Sequence, residues 1–210
     1  MTSTDRQPGL AVSPRWARWR QQVDLDDYDA RWEAMDAAGE RIHDEADLIA
    51  SYRPASVLDA GCGTGRIAIE LARRGLNVVG VDMDADMIER ARSKSESVTW
   101  MQADLTDFDL GRRFDVVAMP GNVMLFCDPA MRSAVVAGCA RHLAPMGHLI
   151  AGFSLERRAD AITLATYDEM CRAAGLTLAG RQATWDGDPF DPSDCDYAVS
   201  IHAAPEVVSR

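Results

Sequence analysis

Short apolar segments alternate with amphipathic segments through most of the chain, and this alternation constrains the fold more than any other feature. Strands that alternate with helices of about 10–15 residues are typical of βαβ units, in which helices cover both faces of a mostly parallel sheet. No helical stretch separates the last two strand-like segments, so we expect them to pair antiparallel at one edge of a three-layer α/β fold. The strand-like segments are Ser56–Ala60, Asn77–Val81, Val98–Met101, Phe114–Met119, His148–Phe153, Thr177–Trp185 and Tyr197–Ala203.

Helical spacing and capping residues predict the remaining elements. Residues 64–74 and 161–174 have helical spacing, Asp84 is a candidate N-cap, and Asp128-Pro129 predicts another helix start. Residues 15–52 have apolar residues at helical spacing with an interruption at Gly39, and Arg53-Pro54 ends this segment. Residues 1–14 are rich in Ser, Thr, Pro and Gly, so we expect a disordered tail.

The glycine-rich segment VLDAGCGTG, residues 57–65, lies where the first strand passes into the first helix. A ligand that crosses the end of a strand needs backbone without obstructing side chains, and Gly61, Gly63 and Gly65 supply it. The helix start that follows offers unpaired N–H groups. The spacing differs from a dinucleotide fingerprint because the third glycine would fall at Arg66, and no Gly-Lys-Ser/Thr of a phosphate loop follows.

Carboxylates also follow the next two strands. Asp82 closes the second strand, where it can accept hydrogen bonds from both hydroxyls of a ribose. Met83 offers a soft apolar face for an adenine ring, and Asp104, just past the third strand, can accept from the exocyclic amine. An aspartate at a strand end is often only a turn former or a helix cap. Three of them at one sheet edge, with Asp59 as the first, indicate a nucleoside site.

Four segments together resemble the successive motifs of class I S-adenosylmethionine-dependent methyltransferases of the small-molecule type: VLDAGCGTG, VVGVDMDADMI, ADL, and FDVVAM followed by LAPMGHLIAGF. The resemblance covers roughly residues 55–155. It implies a Rossmann-like, doubly wound, mostly parallel seven-stranded sheet with an antiparallel last strand. It also implies S-adenosylmethionine as cofactor and S-adenosylhomocysteine as product. The residues expected to bind the cofactor are Tyr28, Trp32, Asp59, Ala60, Gly61, Cys62, Gly63, Gly65, Asp82, Met83, Asp104, Leu105, Met119 and Gly121.

The resemblance also predicts a division of the chain. After the tail, residues 15–210 would form a single methyltransferase domain, with a helical lid over 15–52, a cofactor-binding core over 55–155, and a C-terminal helix and strand pair over 156–210. The implied function is methyl transfer to an unidentified small molecule. A non-catalytic S-adenosylmethionine-binding module remains an alternative, and so does a nicotinamide-dependent oxidoreductase, which shares the βαβ unit and the ribose carboxylate.

The acceptor side is marked more weakly than the cofactor side. The segment MPGNVMLF, residues 119–126, follows the fourth strand, and its Gly121-Asn122 pair is similar to one in glycine/sarcosine-type N-methyltransferases. Tyr28 and Trp32 lie one helical turn apart, so either could stack near the sulfonium, and either could equally be a core aromatic. A general base is needed only if the acceptor arrives protonated. The candidates for a catalytic role are Tyr28, His43 and Asn122.

The charge and cysteine content of the chain limit its partners and location. The formal net charge is −11, which disfavours nucleic acid as a partner. No apolar run approaches the roughly 20 residues that span a bilayer, and the four histidines show no metal-ligand spacing. The five cysteines form no disulfide framework, and we see no signal peptide. We therefore expect a soluble, cytoplasmic, bacterial-type protein without a metal, acting as a monomer or homodimer.

Overall fold

Seven strands form one sheet in the computed structural model, which describes residues 13–155 and 161–206. The strands are β1 (Ser56–Ala60), β2 (Asn77–Asp82), β3 (Thr99–Gln102), β4 (Phe114–Met119), β5 (Leu143–Ser154), β6 (Thr177–Gln182) and β7 (Tyr197–Ala203). Their order across the sheet is β3-β2-β1-β4-β5-β7-β6. The first five pair in parallel, and β7 is antiparallel to both β5 and β6. The predicted mostly parallel sheet with an antiparallel last strand is confirmed.

Helices cover both faces of this sheet. In the described ranges they are α1 (Pro14–Gln22), α2 (Leu25–Ala37), α3 (Asp44–Ser51), α4 (Arg66–Arg73), α5 (Ala85–Lys94), α6 (Val123–Phe126), α7 (Arg132–Arg141) and α8 (Leu164–Ala173). One core cluster contains Ile49, Leu71 and Ile88 of α3, α4 and α5. The other contains Val135 of α7 and Tyr167 of α8. The fold is therefore three-layered and doubly wound, as predicted.

The N-terminal helical segment consists of three separate helices. Ser13 caps α1, because its side chain accepts a hydrogen bond from the backbone N–H of Trp16 at 3.1 Å, and Pro14 occupies the first helical position. Both residues therefore belong to α1, whereas the sequence analysis assigned them to a disordered tail. The rest of that predicted tail, residues 1–12, lies outside the described residues. Asp24 caps α2, which ends two residues before Gly39, at φ +75°.

The two predicted aspartate caps have different outcomes. Asp84 caps α5, since its side chain accepts from the N–H groups of Asp86 and Met87, and this prediction is confirmed. The prediction for Asp128 is wrong, because the helix begins only at Arg132. Asp128 instead forms a turn in which its side chain accepts from the N–H of Ala130 at 2.9 Å. The short helix α6 before this turn was not predicted.

Two strand boundaries differ from the sequence analysis by three residues or more, and the other strand ends differ by at most one residue. β5 begins at Leu143, five residues before the predicted start, because Leu143 pairs with Phe114 ahead of a register shift. β6 ends at Gln182, three residues before the predicted end at Trp185. Among helices of the described ranges, none combines the length and apolar character that crossing a membrane requires.

Candidate functional site

The glycine turn after β1 is held against the end of β2. The N–H groups of Gly61 and Cys62 both donate to the carbonyl oxygen of Val81, at 2.8 and 3.0 Å. Gly61, at φ +82°, has no room for a side chain, because a Cβ atom there would lie 2.6 Å from the side chain of Val123. The turn therefore presents bare backbone to the cavity above it, as a bound ligand would require.

Gly65 ends the turn and begins α4 in a left-handed conformation, at φ +89°. A Cβ atom on Gly65 would lie 2.5 Å from the indole ring of Trp100, and one on Gly80 would meet the same ring at the same distance. The indole of Trp100 thus packs directly against the backbone of the turn and of β2. This close packing explains why Gly65 is a glycine even though it does not line the cavity.

Asp82 lies at the end of β2 with both carboxylate oxygens facing backbone donors. Its Oδ2 accepts from the N–H of Gly63, and its Oδ1 accepts from the N–H of Asp84, both at 2.9 Å. Burial raises the pKa of Asp82, while these backbone hydrogen bonds act in the opposite direction. A carboxylate can accept about four hydrogen bonds, so each oxygen retains capacity for a ligand hydroxyl.

Asp59, the last polar residue of β1, is the most unusual group in the cavity lining. Its side chain is only 1% exposed, and its Oδ1 finds no hydrogen-bond partner among the described residues. Burial raises the pKa of Asp59 to about 7, with a smaller opposing effect from the charge of Arg66. A buried acceptor without a donor is costly, so Asp59 is suited to receive a cationic or N–H group from a ligand.

Ten of the sixteen residues that the sequence analysis selected line one cavity at the carboxyl edge of the sheet. They are Tyr28, Asp59, Gly61, Cys62, Gly63, Asp82, Met83, Asp104, Leu105 and Gly121. They come from the ends of β1, β2 and β3, from the loop after β4, and from α2. Their roles in ligand binding stay predictions, but the structure brings these residues together around one space.

The other six selected residues lie outside this lining. Ala60 and Met119 are fully buried in the core, and Gly65 packs on Trp100. Trp32 stacks on the guanidinium of Arg66, which lies 4.0 Å from the ring centroid.

His43 and Asn122 are the two catalytic candidates among those six. His43 occupies the N-cap position of α3, and its Nε2 lies 3.8 Å from the carboxylate of Glu70. Asn122 is left-handed, at φ +66°, and its Oδ1 accepts from the N–H of Ser154 at 2.8 Å. Asn122 thus ties the loop after β4 to the end of β5. Of the three catalytic candidates, only Tyr28 reaches the cavity.

Four aromatic rings from α1, α2 and α6 line the cavity, and we call them the aromatic wall: Trp16, Trp19, Tyr28 and Phe126. Three of them were not selected from the sequence. The paired tryptophans of PRWARW, next to a Ser-Pro helix start, are the signal that could have identified Trp16 and Trp19. Ser13, Asp128 and Met131, also not selected as site residues, belong to the same lining.

Ion pairs and hydrogen bonds hold the N-terminal helices over the cavity. The hydroxyl of Ser13 donates to the carbonyl oxygen of Phe126, and the guanidinium of Arg20 lies 2.9 Å from the carboxylate of Asp84. In α2, Asp29 accepts from the hydroxyl of Thr64 at 2.7 Å. These contacts join α1 and α2 to the loops that end β1, β2 and β4.

A glycine turn beside buried carboxylates, at the carboxyl edge of a doubly wound sheet, is the arrangement expected of an α/β protein that binds a nucleoside. Among the described residues, no group of three or more His, Cys, Asp or Glu side chains is arranged to hold a metal ion.

Comparison with known proteins narrows this class. Residues 57–147 match the family described as "Methyltransferase domain". The crystal structure of a TehB-like SAM-dependent methyltransferase from Corynebacterium glutamicum is 30% identical, and the alignment covers 86% of this chain and 97% of that one with a TM-score of 0.77. This chain belongs to the S-adenosylmethionine-dependent methyltransferases, and S-adenosylmethionine is the cofactor of that family. The family assignment decides against a nicotinamide-dependent oxidoreductase.

Two curated relatives resemble the cofactor-binding part of the chain. A dTDP-3-amino-3,4,6-trideoxy-alpha-D-glucopyranose N,N-dimethyltransferase from Streptomyces venezuelae is 36% identical over 110 residues, 51% of this chain and 46% of the relative. A cypemycin N-terminal methyltransferase from a Streptomyces species is 36% identical over 125 residues, 55% of this chain and 51% of the relative. The chain spans about half the length of these relatives.

Proposed function

We propose that this protein transfers the methyl group of S-adenosylmethionine to a small-molecule acceptor. The observation that carries the proposal is the convergence of Asp59, Asp82 and Asp104 with the bare backbone of the glycine turn around one cavity. In a chain of this family, these groups match the polar groups of the cofactor. The names of the curated relatives, which include methyltransferases for an amino sugar and a peptide N-terminus, support an acceptor that is not nucleic acid.

Each part of the cofactor has candidate binding residues in the lining of the cavity. Asp82 would accept hydrogen bonds from the two ribose hydroxyls, beyond those it already accepts from backbone N–H groups. Met83, Asp104 and Leu105 would frame the adenine ring. The turn from Asp59 to Gly65 would hold the methionine portion, and the unpartnered Oδ1 of Asp59 would accept from its ammonium group.

The bound cofactor supplies a methyl carbon on a positively charged sulfur, so the protein's own contribution is mainly geometric. The acceptor atom must be held in line with the S–CH₃ bond at about 3–3.5 Å from the carbon, and such positioning is worth roughly 7–11 kcal/mol. The N-terminal helices and the aromatic wall line the cavity, and they would shield a bound cofactor from much of the surrounding water. Tyr28 is the candidate polar side chain of this wall for contact with the acceptor.

The experiment that tests the proposal combines binding with turnover. Isothermal titration calorimetry with S-adenosylmethionine and with S-adenosylhomocysteine should show binding of both. Formation of S-adenosylhomocysteine with panels of amines, phenols, thiols and carboxylates should then reveal turnover with at least one class. Binding without any turnover would favour the non-catalytic module. Absence of heat with either ligand, at protein concentrations well above micromolar, would contradict the cofactor assignment.

We also propose a cytoplasmic location, action on a small molecule rather than nucleic acid, and a monomeric or homodimeric state. Five free cysteines support a reducing compartment, and the net charge of −11 supports the exclusion of nucleic acid. Light scattering coupled to size-exclusion chromatography measures the oligomeric state, and a larger assembly would contradict the proposal.

A further inference from the structure

The aromatic wall brings four aromatic rings together in the lining of the cavity. The rings of Trp16 and Trp19 are stacked with centroids 4.9 Å apart, and Phe126 stands edge-on to Trp16, at 5.4 Å and 80°. Tyr28 is nearly perpendicular to Trp19, at 6.0 Å and 87°. Because all four rings line the cavity, a cation bound there would be attracted to the ring faces that it meets. The guanidinium of Arg15, which lies 5.7 Å above the ring of Phe126, shows that one of these rings already attracts a cation.

The charges of the cavity favour a cation as well. The described residues that line it include four aspartates, Asp59, Asp82, Asp104 and Asp128, against the single guanidinium of Arg66. Because burial raises the pKa of Asp59 to about 7, this side chain carries only part of a negative charge near neutral pH. Arg66 is already engaged, because it forms an ion pair with Glu45 at 2.6 Å and donates to the carbonyl oxygen of Ile42. An anionic acceptor would therefore be repelled, and a cationic one attracted.

One of these carboxylates has no part in the proposed cofactor contacts. Asp59, Asp82 and Asp104 are assigned to the methionine, ribose and adenine groups, which leaves Asp128. Asp128 is half-buried, lies two residues beyond Phe126 of the aromatic wall, and is held in its turn by the hydrogen bond from Ala130. Asp128 thus lines the same cavity as the aromatic wall and is close to Phe126 along the chain.

On the basis of the proposed function, we propose that the acceptor is an amine that enters as an ammonium ion and binds between the aromatic wall and Asp128. The bound R–NH₃⁺ first loses one proton to solvent water. The lone pair of the resulting R–NH₂ forms a bond to the methyl carbon while the carbon–sulfur bond breaks, and that electron pair stays on sulfur. The products are R–NH₂⁺–CH₃, whose charge the wall still accommodates, and a neutral thioether.

The test uses two probes of the same shape and different charge: choline and its neutral isostere 3,3-dimethylbutan-1-ol. Both are titrated into the full chain saturated with S-adenosylhomocysteine, whose neutral sulfur leaves the wall free of the cofactor's positive charge. We expect choline to bind roughly three- to thirtyfold more tightly than the isostere. Equal binding, tighter binding of the isostere, or no binding of either probe up to roughly 50 mM would overturn the proposal.

Variants test which residues cause the preference for choline over the isostere. Asp128→Asn and Trp19→Leu should each reduce the preference for choline severalfold, and Phe126→Leu provides a second ring variant if Trp19→Leu fails to fold. Asp194→Asn is the matched control, because it removes an exposed charge that does not line the cavity. It should leave the preference for choline unchanged. A preference that survives both Asp128→Asn and a folded ring variant would mean that the cation binds elsewhere, and would overturn the assignment.

Turnover separates this proposal from the one on which it rests. Methylation of amines in preference to phenols and thiols would support both the amine acceptor and the proposed methyl transfer. Methylation of phenols or thiols but not amines, with cofactor binding intact, overturns the amine acceptor and leaves methyl transfer standing. Failure of S-adenosylmethionine and S-adenosylhomocysteine to bind at all overturns the proposed function itself.

Discussion

The strand-end side of the cavity and the aromatic wall are held in place by different kinds of interaction. On the strand-end side, Asp59 and Asp82 are 1% and 6% exposed, and backbone hydrogen bonds fix the adjoining turn. The rings of the wall are only half-buried, and side-chain contacts such as those of Ser13 and Arg20 attach α1 to the rest. The strand-end side is therefore expected to be rigid and sensitive to single atoms, and the wall to tolerate change.

The largest effect should be the loss of stability that follows when a methyl group is added at Gly65, at the end of the glycine turn. Gly65→Ala introduces a Cβ atom 2.5 Å from the indole of Trp100, at φ +89°. We expect a loss of about 2–4 kcal/mol in the free energy of unfolding, from overpacking and from the left-handed conformation together. Urea unfolding measures this loss.

Gly75→Ala is the matched control, because Gly75 has nearly the same φ, +87°, and a Cβ atom there meets no described atom within 4 Å. It should lose only the roughly 1–2 kcal/mol that the left-handed conformation costs. Equal losses in the two variants would show that contact with Trp100 does not constrain the turn.

The next largest effect should be on the affinity for the cofactor. Asp82→Ala should weaken binding of S-adenosylmethionine by about 1–3 kcal/mol, since two ribose hydroxyls would lose a charged acceptor. Calorimetry on the folded variant measures it, with the exposed Asp107→Asn as control. Unchanged affinity in the Asp82 variant would remove this carboxylate from the site.

Asp59 should make both stability and binding depend on pH. Burial raises its pKa to about 7, so the folded chain holds a proton between about pH 4 and pH 7 that the unfolded chain has released. This stabilising contribution is complete below about pH 4 and is lost as the pH rises through 7. Asp59→Asn should therefore raise the free energy of unfolding at pH 8 by roughly 1–2 kcal/mol.

Cofactor binding should respond to pH in the opposite direction. An ionised Asp59 attracts the ammonium and sulfonium charges, so the affinity for S-adenosylmethionine should increase as the pH rises through 7. Calorimetry in buffers of different ionisation enthalpy counts the protons released. Asp59→Asn should bind more weakly and with little pH dependence near 7. A variant that keeps the pH dependence would assign it to another group.

The contrast between the strand-end side of the cavity and the aromatic wall also explains how much of the site the sequence could predict. The turn and the carboxylates follow from local rules, because glycines at a strand–helix junction and aspartates at successive parallel strand ends must share one edge. The wall depends on contacts between distant residues: Ser13 bonds to Phe126 across 113 positions, and the sequence analysis assigned Ser13 to a disordered tail and Phe126 to the acceptor-side segment after the fourth strand. No local periodicity encodes such a pairing.

Asn122 shows a second limit of sequence reasoning. Asn122 was selected as a catalytic candidate because the Gly121-Asn122 pair after the fourth strand is similar to one in glycine/sarcosine-type N-methyltransferases, yet its side chain bonds to the backbone of Ser154. Position along the chain predicted the right loop. Position could not predict the direction of the Asn122 side chain. The backbone of Asn122 is left-handed, at φ +66°, and its side chain does not line the cavity.

The smallest effect on stability should come from the ion pair that attaches α1. Arg20→Ala removes contacts to Asp84 at 2.9 Å and Asp86 at 2.7 Å, and partly exposed pairs of this kind contribute about 0.2–1 kcal/mol. Because α1 carries two rings of the wall, the same change should accelerate dissociation of S-adenosylhomocysteine and cleavage near α1 by trypsin. Arg172→Ala, which breaks an exposed pair with Glu169 on α8, is the control with a similar charge change. If Arg20→Ala releases the product at the same rate as Arg172→Ala and the wild-type chain, the ion pair of Arg20 does not hold the wall closed. The hydrogen bond of Ser13 and the ring contacts with Phe126 would then be the interactions that hold it.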